Sequence, residues 1–171
     1  MKLRFHSIWK VIPVPVISVA QMPGRLVGLC LGPMVLVRDD YANDWPTIVH
    51  ELTHCKQFWR GLGLVHLVRY YASRSYRLRA EVEAFRAELA ICSASERPQR
   101  LKDSARALAT SYSLGLDTEA CRLLLGSRHA FAHGSWTRTT SNLFAKSVPS
   151  ALPARSGYSR RTWERRRRVR G

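Results

Sequence analysis

Three shortages narrow this chain before any motif is considered. No apolar run approaches the ~18 residues that a helix needs to cross a bilayer, which excludes an ordinary membrane span. Cysteine is sparse. Cys30, Cys55, Cys92 and Cys121 include no Cys-x-x-Cys pair, which argues against both a structural zinc finger and a disulfide scaffold and predicts buried free thiols in a reducing compartment, with an even number leaving a pair of bridges formally open. Acidic residues are few, 12 against 28 Lys and Arg for a net charge of +16, so the chain as a whole attracts polyanions. A secretory signal is not expected either. Lys2, Arg4 and Lys10 lead into an apolar stretch ending at Ser18-Val19-Ala20, but Pro13 and Pro15 break the helix that such a segment requires. The expected location is therefore cytoplasmic. The alternation through Val14, Val16 and Ile17 predicts an edge strand over residues 8–20, where proline is tolerated.

What is present divides the chain in two. Hydrophobic residues make up 46% of the whole, enough for one domain of roughly 100–150 residues with its own core. From Trp136 onward Ser, Thr, Pro and Arg dominate, and apolar residues are too scattered for a helical or strand period. The predicted organisation is a domain over residues 1–135 and a disordered basic tail over 136–171. The tail holds ten Lys or Arg and one Glu, a net of +9 that leaves +7 for the remainder. Arg160, Arg161, Arg165, Arg166, Arg167, Arg168 and Arg170 form a run suited to nucleic acid or another polyanion through Coulomb attraction and counterion release, with no sequence preference of its own.

Within the domain, one stretch carries chemistry. His50-Glu51-Leu52-Thr53-His54 places two histidines one helical turn apart, a spacing at which both imidazoles reach a single Zn²⁺ while the glutamate stands beside an open coordination position. Asn43, Asp44, Pro46 and Thr47 supply helix-start chemistry, and no Pro or Gly interrupts residues 47–60. At about 100° per residue, His50, His54 and Gln57 share one face while Ile48, Leu52, Cys55 and Trp59 gather on the other. Imidazoles and an amide on the polar face coordinate or orient groups, unlike the Lys, Arg and Glu of an ordinary solvated face.

Catalytic zinc sites use three protein ligands, so a third must come from elsewhere in the chain. A helix predicted over residues 78–92 has a core stripe of Leu78, Val82, Phe85, Leu89 and Cys92. Glu81 lies about 60° from the centre of that stripe and Glu83 about 140° away, so Glu81 faces the packed side and is the expected third ligand. Glu83 is the expected solvent residue, and Glu88 a weaker candidate for the ligand.

The string His50-Glu51-Leu52-Thr53-His54-Cys55-Lys56-Gln57, followed by Glu81-Val82-Glu83-Ala84-Phe85, resembles the gluzincin-type minimal metallopeptidases, and most of all the short bacterial and phage proteins allied to ImmA/IrrE-like and SprT-like domains. The resemblance covers about residues 25–125. It implies a zincin-like domain with His50, His54 and Glu81 as zinc ligands, Glu51 as general base, and a peptide or protein substrate. Thermolysin-like enzymes carry an acid four positions after the glutamate ligand to orient a histidine. Here that position is Phe85, which leaves the orienting group unassigned. His66, Tyr70, Tyr71, Tyr76 and Arg77, between the two motifs, are candidates for stabilising the transition state.

Shorter signals complete the expected architecture. Residues 26–37 form a second apolar run interrupted by Gly28, Gly32 and Pro33, and residues 34–38 are the expected strand edge that receives substrate. Helices are predicted over residues 64–72 and 98–112, with a last one capped by Asp117 or Thr118 and ending near Leu125. His129 and His133 repeat the four-residue spacing without a central glutamate, so they are read as incidental. The fold class is α+β, helix-dominated with a small N-terminal sheet. The function expected is metal-assisted hydrolysis, and its rival is a nucleic-acid-associated protein that keeps the metal fold as scaffold.

Overall fold

A computed structural model describes residues 2–24 and 26–127. Four strands lead into five helices: β1 (Lys2–Ile8), β2 (Ile12–Val19), β3 (Gly28–Cys30), β4 (Val35–Arg38), then α1 (Trp45–Arg60), α2 (Leu64–Ala72), α3 (Arg74–Ile91), α4 (Arg97–Ser111) and α5 (Thr118–Gly126). The protein is α+β, as its pattern of alternation followed by helical spacing predicts. Among the described residues no helix is long and apolar enough to cross a membrane.

The sheet corrects two expectations. Residues 8–20 do not form a single edge strand. Ile8 ends β1, which folds back on β2 with Ile8 opposite Ile12. The turn carries Trp9 and Lys10 at φ 51° and 62°, the left-handed pair of a type I′ hairpin built without the Asn-Gly that normally announces one. The strand order is β1-β2-β4-β3, so β2 lies inside the sheet. Its prolines are accommodated because the parallel pairing with β4 begins only at Val16 opposite Val35, which leaves Pro13 and Pro15 with β1 as their one neighbour. The same order places residues 35–38 between two strands. The open edge expected at residues 34–38 belongs to β3 instead.

Two apolar cores flank α1. Val14 and Val16 of β2 and Val35 and Val37 of β4 pack on Ile48, Leu52 and Cys55 of α1. Leu78, Val82, Phe85 and Leu89 of α3 pack with Ala105 and Leu108 of α4 and with Cys121, Leu124 and Leu125 of α5. The Asp117 side chain caps α5 by accepting from the Ala120 N–H at 2.7 Å, satisfying one of the donors left over at a helix start. Helix α1 is thus the wall between the sheet and the helical layer, and its polar face meets α3.

Leu108 is fully buried in the core that fixes where α3 lies. Leu108→Ala is expected to lower the unfolding free energy by about 2–5 kcal/mol, measured by urea denaturation followed by circular dichroism.

Candidate metal centre

Burial along α1 follows the predicted division of faces closely. Ile48, Leu52 and Cys55 face the sheet, and His50 and Gln57 are buried on the side toward α3. Trp59 departs from the expected apolar face and is 44% exposed, because it lies in the last turn of α1, past the end of the sheet core. On α3, Glu81 is 1% exposed. An ionised carboxylate so enclosed is costly unless it is paired or ligates a metal.

Its partners are the two histidines. His50 Nε2 lies 3.2 Å from His54 Nε2, Glu81 Oε2 lies 3.7 Å from His50 Nε2, and Glu81 Oε1 lies 3.5 Å from His54 Nε2. All three residues offer a ligand atom within 4.8 Å of the others. A tetrahedral ion with bonds of about 2.0–2.1 Å separates its ligand atoms by about 3.3 Å, close to these distances. Glu81 Oε2 is buried and makes no hydrogen bond. Two imidazole nitrogens and an orphaned carboxylate oxygen directed at one point fit a divalent cation.

Each imidazole is held from behind. His50 Nδ1–H donates to Glu88 Oε2 at 3.1 Å, and His54 Nδ1–H donates to Gln57 Oε1 at 2.9 Å. These bonds select the tautomer that turns both Nε2 lone pairs inward. Glu88, expected as a substitute ligand, instead orients His50. It stands seven residues beyond Glu81, two turns along α3, and so fills from farther along the helix the role that Phe85 cannot fill. Phe85 itself packs edge-on against the His50 ring, with centroids 4.4 Å apart. Arg100 of α4 holds Glu88 Oε1 at 3.1 Å and Asp44, at the start of α1, at 2.5 Å. Gln57 Nε2 donates to the Ala80 carbonyl at 2.9 Å and to Glu83 Oε2 at 3.0 Å. Glu83 also pairs with Arg60, so it occupies the exposed side of α3 as expected.

Glu51 lines a cleft of about 190 Å³ together with His50, His54 and Glu81. Strand β3 packs directly on Glu51: a Cβ at Gly28 would come within 2.6 Å of its Oε1, so any larger residue there would have to push the carboxylate aside. The ladder bonds from Arg38 N–H to Val27 C=O and from Leu31 N–H to Met34 C=O turn the polar groups of Gly28 and Cys30 away from β4. Burial pushes the Glu51 carboxyl upward, against the pull of His50 and His54.

Of the five residues proposed as transition-state stabilisers, the fold separates three from two. His66, Tyr70 and Tyr71 line the cleft. Tyr70 donates its hydroxyl to Glu81 Oε1, and burial together with Glu81 keeps that phenol protonated. Tyr76 sits behind His66, hydrogen-bonded to its Nδ1 at 2.9 Å, and Arg77 is turned to the Tyr70 and Tyr71 carbonyls. Tyr112, at the end of α4, lines the cleft without having been expected. Burial and the nearby Glu81 hold its phenol well above the usual range. Its only sequence signal is a hydroxyl-bearing aromatic at a helix end. His129, His133, the basic run from Arg160 through Arg170 and the expected boundary at residue 135 lie outside the described residues.

These contacts give the site a charge preference. Burial disfavours the His50 imidazolium, but the carboxylates of Glu81 and Glu88 beside it outweigh burial and raise its pKa to about 10. For Glu81, burial is outweighed by His54 and His50, which hold the carboxyl well below the usual carboxylate range. Near neutral pH a proton therefore competes with a metal for His50. Metal affinity is expected to rise with pH toward about 10, with release of about one proton per ion bound. Titration calorimetry in buffers of different ionisation enthalpy measures that proton.

The ligand assignment gives a second expectation. His54→Ala and Glu81→Ala lose stoichiometric metal, Glu83→Ala retains it, and Glu88→Ala weakens binding about 10–100-fold, as read by elemental analysis and competition with a chelating dye. No family model, curated protein or solved structure matches this chain.

Proposed function

We propose that this chain is a zinc-dependent hydrolase of peptide bonds. The observation that carries the reading is the convergence of the two histidine Nε2 atoms and the unbonded Glu81 oxygen on one point beside an open cleft that also holds Glu51. His50, His54 and Glu81 would hold the ion. When bound, zinc would supply Lewis acidity for a carbonyl oxygen and lower the pKa of a water toward about 7.

The chain's own groups take the remaining roles. Glu51 is the general base: its carboxyl, raised by burial, has more affinity for a proton than an exposed glutamate and can pass that proton to a leaving amine. Tyr112 and His66 line the cleft as hydrogen-bond donors for the oxygen on which charge develops, while Tyr70 gives its one hydroxyl proton to Glu81 Oε1 and steadies that ligand. Burial, followed by the charges of His54 and Arg60, lowers the His66 pKa, so it would act there as a neutral imidazole. The outward-turned backbone of β3 offers pairing to an extended chain, which favours a peptide over a small ester or amide. The likeness of the His50–Gln57 and Glu81–Phe85 strings to gluzincin-type metallopeptidases agrees with this assignment.

Glu51→Gln is expected to keep bound metal while hydrolysis of an unstructured protein substrate falls about 10²–10⁴-fold, assayed by mass spectrometry of the fragments. Unchanged cleavage by this variant, or cleavage that survives complete removal of metal, would overturn the proposal.

A further inference from the structure

A second pair of reactive side chains lies beside Glu51, outside the set that converges on the ligand point. Cys30 of β3 and Cys55 of α1 are 25 positions apart in sequence, yet their Sγ atoms are 3.4 Å apart. Cys55 is fully buried, whereas Cys30 is half-buried and lines the cleft. The Cys30 thiol also lies 3.5 Å from the Gly32 carbonyl, so two contacts place its sulfur. The four cysteines are otherwise free, and Cys92 and Cys121 make no contact with this pair. One thiol of the pair is thus reachable from the cleft and the other is sealed behind it, the order required for attack from solvent followed by internal resolution.

We propose that Cys30 and Cys55 are a redox modification site: a low-molecular-weight disulfide or a peroxide closes them into an intramolecular disulfide that ties β3 to α1 and disables the cleft. With a disulfide as oxidant, the Cys30 thiolate attacks one sulfur, forms a mixed disulfide and expels a thiolate. The Cys55 thiolate then attacks Cys30 Sγ and expels the second. Two protein thiols are oxidised, one small disulfide is reduced to two thiols, and the two protein protons pass to the departing thiolates. With a peroxide, Cys30 becomes a sulfenic acid and one water leaves. Attack by Cys55 on that sulfur then releases a second water.

The link to the site is geometric. A disulfide brings the sulfurs to about 2.05 Å, so the pair must close by about 1.3 Å from its present 3.4 Å. Residues Gly28 and Cys30 are two apart on the same strand, and Gly28 packs tightly on Glu51, where an added Cβ would come within 2.6 Å of the carboxylate. Drawing Cys30 toward Cys55 therefore pulls on the strand segment that packs against the Glu51 carboxylate, the route by which the bond disables the cleft. In a reducing compartment the pair rests as dithiol, and disulfides formed there are typically transient and regulatory. The effect on turnover rests on the hydrolase reading above, while formation of the bond does not.

The test uses full-length protein, fully reduced and then exposed to oxidised glutathione or hydrogen peroxide. Non-reducing peptide mapping is expected to find a Cys30–Cys55 link, with two of the four thiols lost and a mass decrease of about 2 Da without adduct. Peptide hydrolysis is expected to fall on the order of 100-fold on oxidation, the cost of misplacing a reacting group by about 1 Å, and to return with dithiothreitol. In Cys30→Ala the ratio of oxidised to reduced activity stays near unity. A persistent glutathione adduct on Cys30, links to Cys92 or Cys121 in place of Cys55, or a mapped Cys30–Cys55 bond that leaves hydrolysis unchanged would each overturn the proposal. Because the mapping needs no turnover, a wild type without hydrolytic activity would defeat the hydrolase reading and still decide whether the dithiol closes.

Discussion

The arrangement depends on one buried carboxylate. Glu81 is 1% exposed and stands against two imidazoles. Its desolvation is offset only if positive charge, whether a proton or a metal, sits among the three side chains. That requirement fixes how α1 and α3 pack: the polar faces must meet at a register that aligns Glu81 with the turn spanning His50 and His54. The apolar stripes of both helices must then point outward into separate cores. Helix α1 buries Ile48, Leu52 and Cys55 against the sheet, and α3 buries Leu78, Val82 and Leu89 against α4 and α5. The centre is a seam of polar chemistry between two hydrophobic masses, which shields it from water on both sides and leaves the cleft as its opening.

Three helices share the work of holding the imidazoles. Arg100 joins Glu88 of α3 to Asp44 at the start of α1, so the ring that Glu88 steadies is also tied to the position of α4. Gln57 does the same from the other side by bridging His54 to the backbone of α3. Polar groups that satisfy one another in this way stiffen a site, since loss of Arg100, itself about a quarter exposed, leaves the buried Glu88 without its cation. The sheet contributes differently. It brings a bare strand edge and a glycine against Glu51, and with them the Cys30 thiol, 3.4 Å from Cys55 of α1.

Much of this was legible residue by residue. The spacing of His50 and His54, the helix-start residues before them and the angular separation of Glu81 from Glu83 are local consequences of helical periodicity, and the fold agrees with each. The hairpin at Trp9 and Lys10 was not legible, because neither residue advertises the left-handed turn that it adopts. Nor was the order of the strands. The sequence marks residues 8–20 and 34–38 as strands, but which of them lies at an edge depends on pairings between segments distant in sequence. Glu88 was weighed as a ligand because helical geometry puts it near the same face, and only its distance along α3 from the ligand point makes it an orienting group. Tyr112 and the Cys30–Cys55 contact carried no local signal at all.

By itself, then, the order of residues determined what repeats along one axis: which faces of α1 and α3 are apolar, which side chains on them can ligate, and where most helices begin and end, although α3 starts at Arg74, four residues before the expected 78, and leaves Cys92 just past its end. These follow from about 100° of rotation per residue and from the hydrogen-bonding needs of helix ends. Only the tertiary structure decided which groups from different elements meet: Glu88 with His50, Arg100 with both Glu88 and Asp44, β3 with Glu51, and one thiol with another. Such meetings are set by how two cores fill their space around α1, a condition on the whole packed chain that no short stretch of it contains.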